Sequence, residues 1–494
     1  MRYHPLSGNL LTRTKSIFYN IFCRYVGKPE RDEKTILITI TNPAFAVRQI
    51  HWANTIELTN WKPVVHCLCS IATILEIIES KSLKKPELLT GSVVEKSIFY
   101  RFSNRLTSII NRIPYTGFLR ALCLIVDDII LTKERISEIR RLIKWHNVSM
   151  LLMPDASPAY FAPLLASAAR KENVVVLTNP LDRDSPKSYA MIYKSDNSLL
   201  VSGFTGKIIS KIFSKWIIEY ENKRILRLSV QQIIAQEILQ ISPPQPWYTI
   251  GYLEDIVVVN NKRQQLFLKS MGIVEEKLKV TGCPELDYIA DIAEDGLNDF
   301  ERNTSDDFLS KPIILCALPQ THWIAGRPEA EFQNHKEMID TWIKCLTAQS
   351  NYNIIISLHP SMPYHDYQYL DCENLKVAQE DILKLIPICS IFIACLSSTI
   401  QFAIALGKPV INYDVYRYSL EIEYLSFSES KGTVTVLNKN DFSKVVTRIT
   451  SDRDYYNFLA GCQKNISKEW GLLDGQSVHR FANLIDNIYL KTKG

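Results

Sequence analysis

At 494 residues the chain is longer than one hydrophobic core usually grows, so two domains of about 200 residues each are expected. Apolar residues make up 46% and charged residues 22%, which excludes a disordered or fibrous chain. A net charge of +5, with lysines and arginines scattered along the chain, does not call for nucleic acid as a partner. The 11 cysteines contain no Cys-x-x-Cys pair, and Cys67 and Cys69 alternate within an apolar run as buried strand residues do; this usage suits a reducing compartment. The apolar residues near the N-terminus are interrupted by Arg13, Lys15 and Arg24, so no signal peptide is expected and the location is read as cytoplasmic.

In chain order, the β-branched run 35–41 reads as the first strand, followed by a helical pattern through Val47, Ile50, Ala53, Asn54 and Leu58. Strands are expected next at 63–69, 122–126, 149–153 and 174–177, with helices at 134–146 and 160–171 between them. That alternation is the rhythm of a parallel sheet with crossover helices. A second series of strands follows at 313–317, 353–358, 375–378, 390–396 and 409–413. The stretch 385–406 carries no charge, but Pro387, its hydroxyl residues and Gln401 divide it into a strand, a polar turn and a small-residue helix, not a membrane span. The predicted fold class is α/β and GT-B-like, with two Rossmann-like domains whose parallel sheets face across a cleft. The expected organisation is an N-terminal amphipathic segment (1–34), an N-terminal acceptor domain (35–290), an acidic, polar linker (291–310) and a C-terminal nucleotide-donor domain (311–494).

Ligands of open parallel sheets bind beyond the carboxyl ends of the strands, so unusual residues at strand ends are the candidates. The segment Thr281-Gly282-Cys283-Pro284-Glu285-Leu286-Asp287 follows one strand region; Gly282 and Pro284 make a tight loop, and Asp287 can cap the turn that follows. The run Ile354-Ile355-Ile356-Ser357-Leu358-His359-Pro360 delivers a histidine to a strand end, where it can donate to a phosphate. The third site is Ser397-Ser398-Thr399, three hydroxyls where a strand passes into a helix, whose free N–H groups form an anion site. An ordinary turn, a loop-capping histidine and plain N-capping remain open for each of these taken singly.

Their order and spacing resemble the C-terminal half of GT-B enzymes, above all the bacterial surface-polysaccharide group with HP and SS motifs that includes sialyltransferases, Kdo transferases and CDP-glycerol polymerases. The segment Leu473-Asp474-Gly475-Gln476-Ser477-Val478-His479-Arg480-Phe481 also resembles the loop and final helix of those proteins. The resemblance covers residues 250–490. It implies a glycosyltransferase in which His359 with Pro360 and Ser397, Ser398 and Thr399 bind the nucleotide, and Gly282 and Pro284 line the cleft. A CMP- or CDP-linked sugar donor and a surface-polysaccharide or lipid-linked glycan acceptor are the implied partners, without a cofactor. The acidic pair that supplies the base in the sialyltransferases matches only Glu294-Asp295-Gly296, in the expected linker, and the N-terminal half carries no matching motif.

A base is then expected from the N-terminal half: Asp155, just past a strand, where helix N-capping is its competing role, or His51, beside Trp52. Asp127 and Asp128 follow an expected strand, but no further ligand is spaced with them, so metal-independent chemistry is expected. Two basic segments with aromatics, 13–25 and 207–220, suggest peripheral contact with the inner face of the membrane; ordinary core-facing helices share the pattern. A UDP-sugar 2-epimerase of the same fold is the nearest rival, although that family carries glycines and paired glutamates where this chain has Ser397-Ser398 and Gln401. A non-catalytic nucleotide-binding subunit is the third reading.

Overall fold

The computed structural model describes residues 34–80, 83–90, 117–159, 161–180, 185–295, 306–319, 331–359 and 362–493. The segment 13–25 and Pro360 lie outside them. The chain forms two compact units. The N-terminal unit comprises Arg2–Val258, Leu268–Lys279 and Ile485–Gly494; the C-terminal unit is built from Val259–Phe267 and Val280–Leu484. Of the acidic stretch 291–310, the described residues 291–295 and 306–310 fall within the second of these, and the chain changes unit at residues 258/259, 267/268, 279/280 and 484/485.

The N-terminal unit is organised by strands β1 (Thr35–Ile40), β2 (Lys62–Cys67), β3 (Leu88–Thr90), β4 (Val148–Met153) and β5 (Val175–Thr178), with the small hairpin of β6 (Ile217–Tyr220) and β7 (Lys223–Leu226) and then β8 (Ile256–Val259) and β9 (Leu278–Val280). The sheet order is β3-β2-β1-β4-β5-β8-β9, and the pairings from β3 to β8 are all parallel. Every residue of β1 is buried, as a strand covered on both faces requires. Strand order reverses between β1 and β4, which places this sheet's crevice at their carboxyl ends.

The run 122–126, expected as a strand, lies instead within the helix Gly117–Trp145. A short continuous apolar run carries no period of its own, and the helix-compatible residues that follow extend it as one long element. Asp127 and Asp128 are therefore helical residues and follow no strand; burial, with Asp127 next to it, raises the Asp128 carboxyl above its ordinary range. The expected amphipathic element at 207–220 is also divided. Its helix is Gly203–Ile212, and Trp216 enters a small core with Ile209, Leu226, Leu228 and Ile233, donating from Nε1 to Glu237 at 2.6 Å.

The C-terminal unit carries β10 (Ile313–Ala317), β11 (Asn353–Ser357), β12 (Leu375–Ala378), β13 (Ile391–Ala394), β14 (Val410–Tyr413) and β15 (Thr433–Val436), in the all-parallel order β12-β11-β10-β13-β14-β15. Here the order reverses between β10 and β13. The uncharged stretch 385–406 resolves into buried β13, a turn and the six-residue helix Ile400–Ala405. Among the described residues no helix is long and apolar enough to cross a membrane.

Candidate functional site

Register brings two of the three sequence motifs together. Ala317 of β10 pairs with Ser357 on one side and Ala394 on the other, so β11 and β13 end level with each other across one intervening strand. Neighbouring strands lie about 4.8 Å apart, which sets the two strand ends at about 10 Å. His359 is two residues beyond one end and Ser397 three beyond the other; both are half-buried, at the edge where strand order reverses.

The β13 turn is held open in a particular way. Leu396 takes a left-handed φ of +51°, an uncommon conformation for a residue with a side chain. Its N–H donates to Asn412 Oδ1 at 2.9 Å, while Asn412 Nδ2 donates to Leu425 O and Thr435 Oγ1. The Ser397 hydroxyl is committed locally, 2.7 Å from Thr399 Oγ1 and accepting from the Thr399 N–H at 3.3 Å. Ser398 differs: its hydroxyl has no hydrogen-bond partner among the described residues, nor do the backbone N–H groups of Ser397 and Ser398. Successive unpaired N–H groups after a left-handed residue form a concave donor set suited to an anion. The following helix is only six residues long, about 1.7 turns, so these donors matter more than any dipole.

Gly282 and Pro284 are placed otherwise. Both are buried, and Gly282 has φ +87°. A Cβ at Gly282 would overlap the Ser477 hydroxyl, so the close approach this glycine permits is made by the chain's own last helix. Pro284 opens the helix Pro284–Asp295, where its missing N–H costs nothing. Asp287 does not cap a local turn: its two oxygens accept from the N–H groups of Ser477 and Val478, each at 3.0 Å, capping the helix Ser477–Lys493. Arg480 completes this clasp by donating to Thr281 O at 2.8 Å and to both oxygens of Asp474.

In the N-terminal unit, Asp155 lies two residues beyond β4, beside the point of strand-order reversal. It does not N-cap a helix; the next helix starts at Ala162, and Asp155 Oδ1 instead accepts from the Ser157 N–H at 3.1 Å. That turn is braced by Arg227, only 1% exposed, which donates to Ser157 Oγ at 3.2 Å and to Tyr193 OH at 2.7 Å, with its guanidinium 4.1 Å from the Tyr189 ring centre. His51 sits half-buried on the helix Ala46–Ile56, its carbonyl accepting from the Thr55 hydroxyl, and Trp52 beside it is fully buried. Neighbouring Gln49 and Asn179, both fully buried, bring their side-chain amides within 3.2 Å.

Sequence reasoning missed several of these groups. Asn412 and Arg227 act through long-range contacts that no local pattern announces. His335 was also overlooked: its Nε2 lies 3.0 Å from the Pro319 carbonyl just past β10, at the reversal point, and burial pulls its pKa below the ordinary histidine value. Its only local signal was Asn334, which caps that helix by accepting from the Glu337 N–H.

Two parallel sheets, each with helices and each with a strand-order reversal, define a two-unit α/β protein of the GT-B fold. Solved structures agree. The chain is similar to S. aureus MnaA with UDP (14% identity, TM-score 0.51, covering 93% of this chain and 97% of that one). It is similar also to Neisseria meningitidis UDP-GlcNAc 2-epimerase bound to UDP-GlcNAc (13%, TM-score 0.50, 92% and 100%) and to the glycotransferase of kitacinnamycin (10%, TM-score 0.51, 92% and 98%). At such identities the likeness defines the fold, and it extends over both halves of the chain, not the C-terminal half alone. No family model and no curated protein matches the sequence.

Proposed function

We propose that this protein is a glycosyltransferase that binds a nucleotide-activated sugar at the β10/β13 edge of its C-terminal unit and passes the sugar to a glycan or lipid-linked acceptor. The observation that supports this reading most is the level ending of β11 and β13, with His359 on one and, on the other, the Ser398 hydroxyl and Ser397–Ser398 N–H groups, which have no partner among the described residues. These groups suit a phosphate: charge-assisted bonds from backbone N–H groups, a hydroxyl and an imidazole offset its charge without a metal. A CMP- or CDP-linked donor is favoured by the resemblance to the HP and SS group. Asp155 is the proposed base, with His51 the other candidate, and Ser397 with Thr399 shapes the donor loop.

Thermal-shift titration with CMP, CDP and UDP tests the donor site. One nucleotide is expected to raise the melting temperature of the wild type and of Ser397→Ala, but not of Ser398→Ala or His359→Ala, because ligand binding stabilises the folded state by mass action. Equal shifts in all four proteins would remove the site. Asp155→Asn is expected to keep the nucleotide shift while losing acceptor-dependent nucleotide release. Binding without such release in the wild type would leave a nucleotide-binding subunit.

The epimerase reading is kept because structures described as UDP-GlcNAc 2-epimerases share the fold at TM-scores of 0.50 and 0.51, beside 0.51 for the glycotransferase. Incubation with UDP-GlcNAc alone separates the two, since only an epimerase converts it without an acceptor.

A further inference from the structure

The helix Gly203–Ile212 presents a face that the core does not use. Gly206, Ile209 and Ser210 are buried, whereas Lys207, Ile208, Lys211 and Ile212 are exposed, the two isoleucines at 38% and 63%. Spacing of four residues aligns Lys207 with Lys211 and Ile208 with Ile212 in adjacent rows, so the outward face is half cationic and half aliphatic. No acidic residue lies in this helix, and neither lysine has an ion-pair partner among the described residues. The contrast with the next lysine is informative: Lys215 is neutralised by Glu237 at 2.9 Å and donates to Ser242 Oγ at 2.9 Å, while Trp216 is packed away.

From this face we infer that the helix Gly203–Ile212 docks the N-terminal unit on an anionic lipid surface, with Ile208 and Ile212 entering the headgroup boundary and Lys207 and Lys211 facing lipid phosphates. Charge complementarity selects the occupant. Protein interfaces concentrate aromatic residues and arginine and are depleted in lysine, whereas lysines without an ion-pair partner among the described residues, set beside aliphatic side chains, suit a fluid layer of negative headgroups. The inference rests on the proposed glycan-transfer reading only for its purpose, delivery of the enzyme to a lipid-linked acceptor; the surface itself is argued from exposure and charge.

Cosedimentation of the full chain with vesicles reads the contact without any activity, so its failure leaves the donor-site proposal untouched. The wild type is expected to bind vesicles of phosphatidylcholine mixed with phosphatidylglycerol, to ignore vesicles of phosphatidylcholine alone, and to be released by salt. Each lysine near an anionic surface is worth about fivefold in partitioning, so Lys207→Ala with Lys211→Ala is expected to weaken binding roughly twenty- to thirty-fold. Ile212→Ser is expected to weaken it several-fold, with the melting temperature unchanged in both variants because these side chains are exposed. The inference is overturned by a wild type that binds neither vesicle, or by variants that bind the anionic vesicles as tightly as the wild type does, which would move the contact to another part of the chain.

Discussion

His66 is the penultimate residue of β2, 4% exposed, with its Nδ1 unpaired among the described residues. Burial, and then the neighbouring His146, lowers its pKa to about 4 from the ordinary 6.5, so the fold holds it neutral. The unfolded chain binds a proton there more readily than the folded one does. The contribution of this group is therefore fully present above pH 6.5 and lost as pH falls from 6.5 towards 4, amounting to about 3 kcal/mol. His146, whose pKa is lowered by its own burial and by Lys62, adds in the same direction. Urea denaturation followed between pH 7 and pH 4 should show the wild type weakening over this window and His66→Leu weakening less. Parallel curves would mean that His66 is solvated. The same scale separates Ser397 from Ser398: adjacent hydroxyls that look equivalent in sequence have different partners, because Leu396 turns the chain left-handed immediately before them.

Between elements, the loop after β9 and the start of the last helix are fitted to each other. Gly282→Ala would introduce both a strained positive φ and an overlap with Ser477, and is expected to cost about 1–3 kcal/mol. Ser477→Gly, which removes the overlap but not the backbone strain, should recover part of that loss; a double-mutant cycle in urea checks it, and strict additivity would mean that the two residues do not touch. Such a contact, between residues 195 apart, was invisible in sequence; what could be read was the tight turn alone. Most strands were legible for a simple reason. β1, β4, β5, β10, β11 and β13 are buried on both faces and therefore spell continuous β-branched and aliphatic runs bounded by turn residues. The same rule misled at 122–126, where an apolar run belongs to a helix that leaves Leu122, Leu124 and Val126 at 48%, 37% and 41% exposure. β15 went unread because Thr433-Val434-Thr435-Val436 is only half-buried and alternates, a pattern too short to stand out. For the site, strand-end positions were legible because they follow those runs, whereas Asn412, Arg227 and His335 owe their placement to pairings that only the folded sheet creates.

Over the whole molecule, the order of residues along the chain is not the order in which cores are closed. The last helix begins in the C-terminal unit, clasped by Asp287, and its final residues belong to the N-terminal unit. There Asp486 accepts from Lys34 Nζ at 2.6 Å and from Trp61 Nε1 at 3.0 Å, while Tyr489 meets the Trp61 ring edge-on at 5.7 Å. Trp61 is 2% exposed, so its N–H cannot turn to water when its acceptor is removed. The Lys34 pair is partly exposed and contributes little by itself; the buried indole donor carries most of the effect. Asp486→Ala is therefore expected to cost about 1–3 kcal/mol, and Asp486→Asn, which keeps an acceptor, distinctly less. Hydrogen exchange locates the loss: amides of β1 and β2, the strands that flank Lys34 and Trp61, should exchange faster in Asp486→Ala, while those of β10 and β13 keep their wild-type protection. Faster exchange in β10 and β13 alone would place the stabilising role of these last residues in the wrong unit.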